Sequence, residues 1–326
     1  MQLEGKKVFI TGATGFVGGY ITRTLHQQKA KIIALKGRKN DTSFIEDIKD
    51  DIQWEEADIL DPNTLKEALQ GVDYIVHTAS IVSFEKGLEE LRSVNVDGTA
   101  NLVNMAIEAN VEKFIHISSI AALGVPEFGN EIDENSKWTG EKGVSAYGIS
   151  KYNAEQEVWR GYREGLNVVV LNPSVILGVG DFSRSSLAIF QTVKKGLKYY
   201  PTGFFSSVDI RDVVDAVVKV FDEHISGERF ILNAHSIPYK KALELMADGL
   251  NVAPPKKKIS KKLTQLVSSF EGFISLFSGK QKKLTKDVVR TMYTQNVYKS
   301  DKAMSTLQLQ FKPLEETMNW VKTHQN

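Results

Sequence analysis

The sequence predicts an α/β fold, a doubly wound parallel sheet followed by a smaller mixed α/β C-terminal region. Three observations predict it. Short β-branched apolar runs alternate with longer amphipathic segments, a glycine-rich turn joins the first run to the first amphipathic segment, and the alternation fades after Pro173. Strands are expected at Lys7–Thr11, Lys31–Leu35, Ile52–Glu56, Tyr74–His77, Lys113–Ser118 and Asn167–Asn172. Each is almost continuously apolar, as suits strands covered by helices on both faces. Helices fill the intervals at Phe16–Gln28, Pro62–Leu69, Gly87–Asn110 and Ser145–Glu164.

Residues 1–175 therefore read as one unit and 176–326 as a second that builds over its cleft. Within the second, Ser207–Phe221 is a strand-turn-helix signal with Asp209 placed as the helix cap, and residues 205–222 are expected to pack back on the first unit. Pro254-Pro255 breaks the chain before a basic, amphipathic stretch. A final helix is expected near Pro313–Thr323.

Composition narrows the classes. Forty-one basic against forty acidic residues leave a net charge of +1, so no general attraction to nucleic acid is expected. With no cysteine there is no disulfide framework, thiol nucleophile or thiolate metal site, and the six histidines lack ligand spacing. Neither a secretion signal nor an apolar stretch of bilayer length is visible, and a cytoplasmic location is expected.

The first strand runs into Gly12-Ala13-Thr14-Gly15-Phe16-Val17-Gly18 and then a helix. A backbone that approaches a pyrophosphate closely has no room for β-carbons, and a helix N-terminus offers unpaired N–H groups and partial positive charge. Strand, glycine turn and helix in this order make a Rossmann dinucleotide site, although the spacing differs by one residue from Gly-x-Gly-x-x-Gly. The second strand ends Leu35-Lys36-Gly37-Arg38-Lys39, with no carboxylate for a ribose 2′-hydroxyl. Lys36, Arg38 and Lys39 instead suit a 2′-phosphate, so NADP is expected, with NAD as the alternative.

Tyr147-Gly148-Ile149-Ser150-Lys151 sets a phenol and an ammonium at i and i+4, on one face of a helix. The ammonium is expected to lower the tyrosine pKa so that Tyr147 can exchange a proton while hydride moves at the same carbon. Tyr-x-x-x-Lys alone is weak, and a second copy stands at Tyr298 to Lys302. Only the first follows a strand that ends in Ile117-Ser118-Ser119, where a side chain at the C-terminal tip of a parallel strand points into the ligand crevice. Tyr298 is read as a surface or packing residue.

Together these motifs resemble the extended short-chain dehydrogenases/reductases, within the NAD-dependent epimerase/dehydratase group. The resemblance implies further cofactor contacts at Asp58 and Ile59 for the adenine, at Thr78, Ala79 and Ser80 beside the pyrophosphate, and at Pro173, Ser174 and Val175 near the nicotinamide. Ile117, Tyr147 and Lys151 are counted with them. It also implies that Ser119 holds the substrate oxygen and that Asn95 kinks a helix and relays a proton through water to Lys151.

The tail narrows the resemblance. Gly279 to Thr285 with Val288-Val289-Arg290, Tyr298 to Ala303, and Phe311 to Thr317 look like the dihydroflavonol-4-reductase and hydroxysteroid-dehydrogenase-like branch. That implies a small carbonyl or alcohol substrate, and a homodimer by analogy. Ile120 and Ala121 replace the Asp-Glu pair that sugar 4,6-dehydratases carry after the serine position. A nucleotide-sugar epimerase with tightly bound NAD, or a non-catalytic NADP sensor, is the alternative function. Finally, Leu263, Leu266, Val267, Phe270, Phe273, Ile274 and Phe277 recur at helical spacing within 261–278. They are read as a cap helix burying this face over the substrate pocket; the alternative is an interfacial helix on acidic lipid.

Overall fold

The computed structural model describes residues 3–36, 42–83, 86–126, 129–183, 185–268 and 285–324. In chain order its first strands are β1 (Lys7–Thr11), β2 (Lys31–Leu35), β3 (Gln53–Glu55), β4 (Tyr74–His77), β5 (Lys113–Ile117), β6 (Glu131–Ile132) and β7 (Val168–Pro173). They are followed by β8 (Val175–Leu177), β9 (Tyr199–Tyr200), β10 (Phe204–Asp209), β11 (Glu228–Leu232), β12 (His235–Pro238), β13 (Lys257–Lys258) and β14 (Val297–Tyr298). Seven of these form the central sheet in the order β11-β7-β5-β4-β1-β2-β3, parallel throughout. The six expected strands lie within a residue or so of their positions. Glu228–Leu232, which lies beyond the alternating half of the sequence, adds the seventh at the edge beside β7.

The helices used below are α1 (Phe16–Gln27), α2 (Pro62–Ala68), α3 (Leu88–Arg92), α4 (Gly98–Glu108), α5 (Ala146–Arg163), α6 (Ala188–Lys194), α7 (Ile210–Lys219) and α8 (Tyr239–Gly249). One helix expected over 87–110 is interrupted: α3 and α4 are separated by a π-helical turn at Ser93–Asp97 that carries Asn95. Alternate residues of each strand face opposite layers. Val8, Ile10, Val76, Ile115 and Val169 share a core with α1 and α7, whereas Phe9, Ile75, Phe114, Val168 and Val170 share one with α2, α4 and α5. Each fully buried aliphatic or phenyl side chain contributes about 1.5–3 kcal/mol relative to exposure.

β10 runs into α7 as expected, and α7 lies on the α1 side of the sheet, with Val213, Val214, Val217 and Phe221 in the same core as Ile21 and Leu25. A buried lysine secures the far end of α7. Lys113, 2% exposed at the start of β5, donates to the carbonyl of Val220 at 2.9 Å and also to that of Asp222, so its charge meets the negative end of the helix.

The near end is secured by Asp209, which is buried. Its carboxylate caps α7 through Arg211 N at 2.8 Å, takes both Nε (2.9 Å) and Nη2 (2.7 Å) of Arg211, and accepts from Thr317 Oγ1 at 2.7 Å. Thr317 belongs to the last helix, Leu314–His324, whose Trp320 stacks under the Arg211 guanidinium. One carboxylate thus joins the C-terminal helix to the sheet layer. Asp209→Ala is expected to lower unfolding free energy by about 2–4 kcal/mol in urea titration, because it removes a cap and strands a part-buried guanidinium. A loss below about 1 kcal/mol would contradict this account.

Candidate active site

The strand order reverses between β1 and β4, which opens a crevice at their C-terminal ends. Gly12 follows β1 there, at φ +73°, and a β-carbon on it would lie 2.7 Å from Thr78 Oγ1 and 3.0 Å from Ala79 N. On Gly18 a β-carbon would lie 2.1 Å from the carbonyl oxygen of Gly12. Those two glycines are therefore required by the turn's own packing. Gly15 differs: a β-carbon on it would meet only the Gly12 carbonyl, at 3.2 Å, and otherwise open space. Gly15 caps α1 without a side-chain hydrogen bond. The first amides of α1, those of Phe16, Val17 and Gly18, thus carry the N-terminal positive pole with no side-chain cap, beside half-buried Thr14 and exposed Gly15. Such a cradle fits a pyrophosphate.

The other positions expected to meet a cofactor follow the C-terminal ends of β3, β4 and β7. Thr78 Oγ1 donates to Thr11 O at 2.6 Å, Ala79 N donates to Thr11 Oγ1 at 3.2 Å, and Ser80 Oγ donates to Asn95 Oδ1 at 3.2 Å. Asp58 accepts from Leu60 N at 3.0 Å, and Ile59 is buried beneath Gly98, where a β-carbon would come within 3.0 Å of its side chain. Pro173 ends β7, Ser174 N donates to Leu232 O at 2.9 Å, and Val175 begins β8. Lys36 forms an ion pair with Glu56 at 2.5 Å, both side chains being exposed, so the end of β2 gains an acid from the chain after β3. Arg38 and Lys39 lie outside the described residues.

α5 brings the proton-transfer candidates together. Ser145 caps it by accepting from Gly148 N at 3.0 Å, and Gly148 allows close approach: a β-carbon there would lie 2.8 Å from the Ala121 carbonyl oxygen. That approach sets the Tyr147 phenol beside Ser119. Ser119 Oγ also accepts from Ala121 N at 3.1 Å, capping the short turn that follows β5. One turn along α5, Lys151 is 2% exposed and its Nζ donates to Ile117 O at 3.0 Å.

Asn95 is 2% exposed in the π-helical turn. Its Nδ2 donates to Ile81 O at 3.1 Å and Ser150 Oγ at 3.0 Å, and its Oδ1 accepts from Ile81 N at 2.7 Å. It therefore ties the loop after β4 to α5, and its partners are Ile81, Ser80 and Ser150. Tyr298, the tyrosine of the second motif copy, packs with Leu123, Ile132 and Ile231.

Burial sets the electrostatics of this cluster. It pushes the Tyr147 phenol up to about 12, opposed by the Ser119 hydrogen bond. Burial thus outweighs the lowering expected from Lys151. Burial likewise brings Lys151 down to about 8, opposed by the charge of Glu155. His77, bonded to Thr11 Oγ1 at 2.7 Å and Thr99 Oγ1 at 2.9 Å, is lowered to about 3 by burial and by Lys151. His116 lies beside it, ring centroids 5.1 Å apart, with no hydrogen bond to either ring nitrogen among the described residues. Two neutral imidazoles therefore floor the site.

Sequence reading missed the residue that joins these parts. Glu155, the next turn after Lys151, has no exposed surface and its carboxylate is fully engaged. Oε2 accepts from Ser118 Oγ at 2.8 Å and Asn172 Nδ2 at 2.9 Å, while Oε1 accepts from Trp159 Nε1 at 3.2 Å and from Arg229 on β11. Asn172 Nδ2 also reaches Ser119 O at 3.0 Å. One carboxylate thereby aligns α5 with the ends of β5 and β7. The available signal was the four-residue series Tyr147, Lys151, Glu155, Trp159 on one helix face.

The comparisons agree with this geometry. Residues 8–233 match the NAD dependent epimerase/dehydratase family, and the chain belongs to that family. It is an NAD(P)-dependent oxidoreductase. A Synechocystis protein carrying the name dihydroflavonol 4-reductase is 27% identical, over 97% of this chain and 94% of its own. Cinnamoyl-CoA reductase 1 of Petunia hybrida is 29% identical, over 71% and 73%. Among solved structures, that of gox2253 is 28% identical with a TM-score of 0.82, covering 98% of this chain and 99% of its own. The fold is also that of DesIV, a dTDP-glucose 4,6-dehydratase from Streptomyces venezuelae with NAD and TYD bound, at 18% identity and a TM-score of 0.75, covering 98% and 97%.

Glu155→Ala should be among the most damaging single changes, since it leaves Arg229 and three other donors without their acceptor. The expected loss is about 3–5 kcal/mol in denaturant titration. Arg229→Ala with Glu155→Ala should lose less than the sum of the two separate changes, and strict additivity would show that the pair is not coupled.

Proposed function

We propose that this chain is an NADP(H)-linked carbonyl reductase of the dihydroflavonol-4-reductase-like kind, moving hydride between nicotinamide and a ketone, aldehyde or secondary alcohol. The observation that carries the reading is the buried pair Tyr147 and Lys151 on one face of α5, with Ser119 beside the phenol, at the rim that also carries the open turn of Gly15. The reductase names of relatives support it. A bound nicotinamide would supply the hydride to the carbonyl carbon.

The protein supplies the rest. Ser119 Oγ orients the carbonyl oxygen, and Tyr147 gives it the phenolic proton as the C–O π bond becomes an alkoxide. A phenol held near 12 stays protonated at neutral pH, which suits donation and hence the reductive direction. The Lys151 ammonium would stabilise the phenolate left behind by turning to it from Ile117 O, and Asn95 holds the Ser150 turn of α5 in place. For the coenzyme, Lys36, Arg38 and Lys39 favour a 2′-phosphate; Lys36 would exchange Glu56 for it.

Titration with NADPH and NADH, followed by turnover with a panel of aldehydes and ketones, tests the reading. NADPH should bind more tightly, and Tyr147→Phe should keep that affinity while turnover falls about a hundredfold or more. Full activity in Tyr147→Phe, or indifference to both coenzymes, would refute it. An epimerase would instead retain its coenzyme through purification.

The pH dependence follows from Lys151. The lysine is charged below about 8, so kcat/KM for reduction should hold at neutral pH and fall as pH rises through that value. Lys151→Met should be slow at every pH, without that limb. A wild-type profile flat to pH about 10 would exclude a role for the ammonium.

A further inference from the structure

The segment at 261–268 is amphipathic in the inverse sense to the cap helix that its sequence suggests. Leu263, Leu266 and Val267, spaced as one helical face, are 47%, 67% and 41% exposed. Thr264 and Ser268 are the buried residues, each at 3%, and Thr264 Oγ1 lies 2.6 Å from Tyr293 Oη. The part of the expected cap that falls at 269–278 lies outside the described residues. Among the described residues, then, the polar side of this helix faces the protein and its aliphatic side faces solvent.

The β9–β13 pairing gathers lysines from two segments at the end of the chain that leads into this helix. β13 pairs with β9, Lys257 opposite Tyr199 and Lys258 opposite Tyr200, so two segments distant in sequence lie edge to edge. One contributes Lys194, Lys195 and Lys198 with Tyr199, itself 47% exposed; the other contributes Lys256 to Lys258, Lys261 and Lys262. All eight lysines are exposed. No acidic residue occurs between Asp181 and Asp209 or between Asp248 and Glu271. On neighbouring α8, Glu244 lies within 3.8 Å of Lys240. A chain of net charge +1 therefore concentrates cationic groups around one apolar edge.

We propose that this face docks on an anionic phospholipid surface, with Leu263, Leu266, Val267 and Tyr199 entering the headgroup boundary and the lysines meeting lipid phosphate. Lysines alone would suit any polyanion. The aliphatic face beside them selects a surface with an apolar layer beneath its charge. This inference is independent of the catalytic reading.

Vesicle co-sedimentation of the full chain tests it. Vesicles of phosphatidylcholine with about 30% phosphatidylglycerol should carry the protein down, pure phosphatidylcholine should not, and added salt should release it. Leu266→Ser, or the triple change Lys256→Gln, Lys257→Gln and Lys258→Gln, should lower the partition coefficient at least about tenfold. Thermal midpoints should stay unchanged, since all four positions are exposed. Protein that stays in the supernatant with anionic vesicles, or variants that bind like wild type, would overturn the proposal. So would light scattering that shows this face covered by a second copy, with the association abolished by Leu266→Ser.

Discussion

Burying a carboxylate in a sheet-helix core is unfavourable unless every acceptor position is filled, and this requirement organises the candidate active-site region. Glu155 meets it with four donors drawn from the residue after β5, from β7, from β11 and from its own helix. Because those donors are spread over three strand ends, satisfying the carboxylate also sets the height of α5 over the sheet. Tyr147 and Lys151, two turns and one turn earlier, inherit that position. The Ser118 and Asn172 contacts carry the same constraint to Ser119 and Pro173. Geometry around Tyr147 and Lys151 is thus held from behind by Glu155.

Charge and burial then divide the work on α5. Lys151 would be hard to keep protonated among His77, His116 and apolar side chains without a negative neighbour, and Glu155 is that neighbour. Tyr147 receives no such help and keeps its proton. The two imidazoles beneath are held neutral by burial, so they add no competing charge. On the opposite wall of the crevice, Gly12 and Gly18 are demanded by packing and Gly15 by the space it leaves. A glycine motif that looks uniform in sequence therefore contains two structural positions and one open one.

The C-terminal region follows different rules. Asp209 and Asp212 tie it to α7, the latter through Lys312 Nζ at 2.9 Å, and these buried or half-buried pairs give it a defined seat. Among the described residues the eight lysines near β9 and β13 form no ion pair, and Tyr199, Leu263, Leu266 and Val267 remain exposed. There the hydrophobic pattern of the sequence does not report burial within this chain.

Local physics made much of the molecule readable from sequence. Apolar runs bounded by turns identified six strands of the sheet, because burial on both faces leaves a continuous signature. Glycines with no room for β-carbons identified the crevice, and helical periodicity set Tyr147 with Lys151. Long-range contacts decided the remainder. Glu155 acquires its importance from Arg229 and Asn172, far away in sequence, and Lys151 is turned toward Ile117 O by strand β5. The π-helical turn at Asn95 comes from bonds to Ile81 and Ser150. Leu263 and Leu266 face outward because the buried side of their helix is claimed by Thr264 and Tyr293. A sequence displays which side chains are apolar or charged and how they are spaced, but partners, burial and the resulting shifts in acidity exist only once distant segments are brought together.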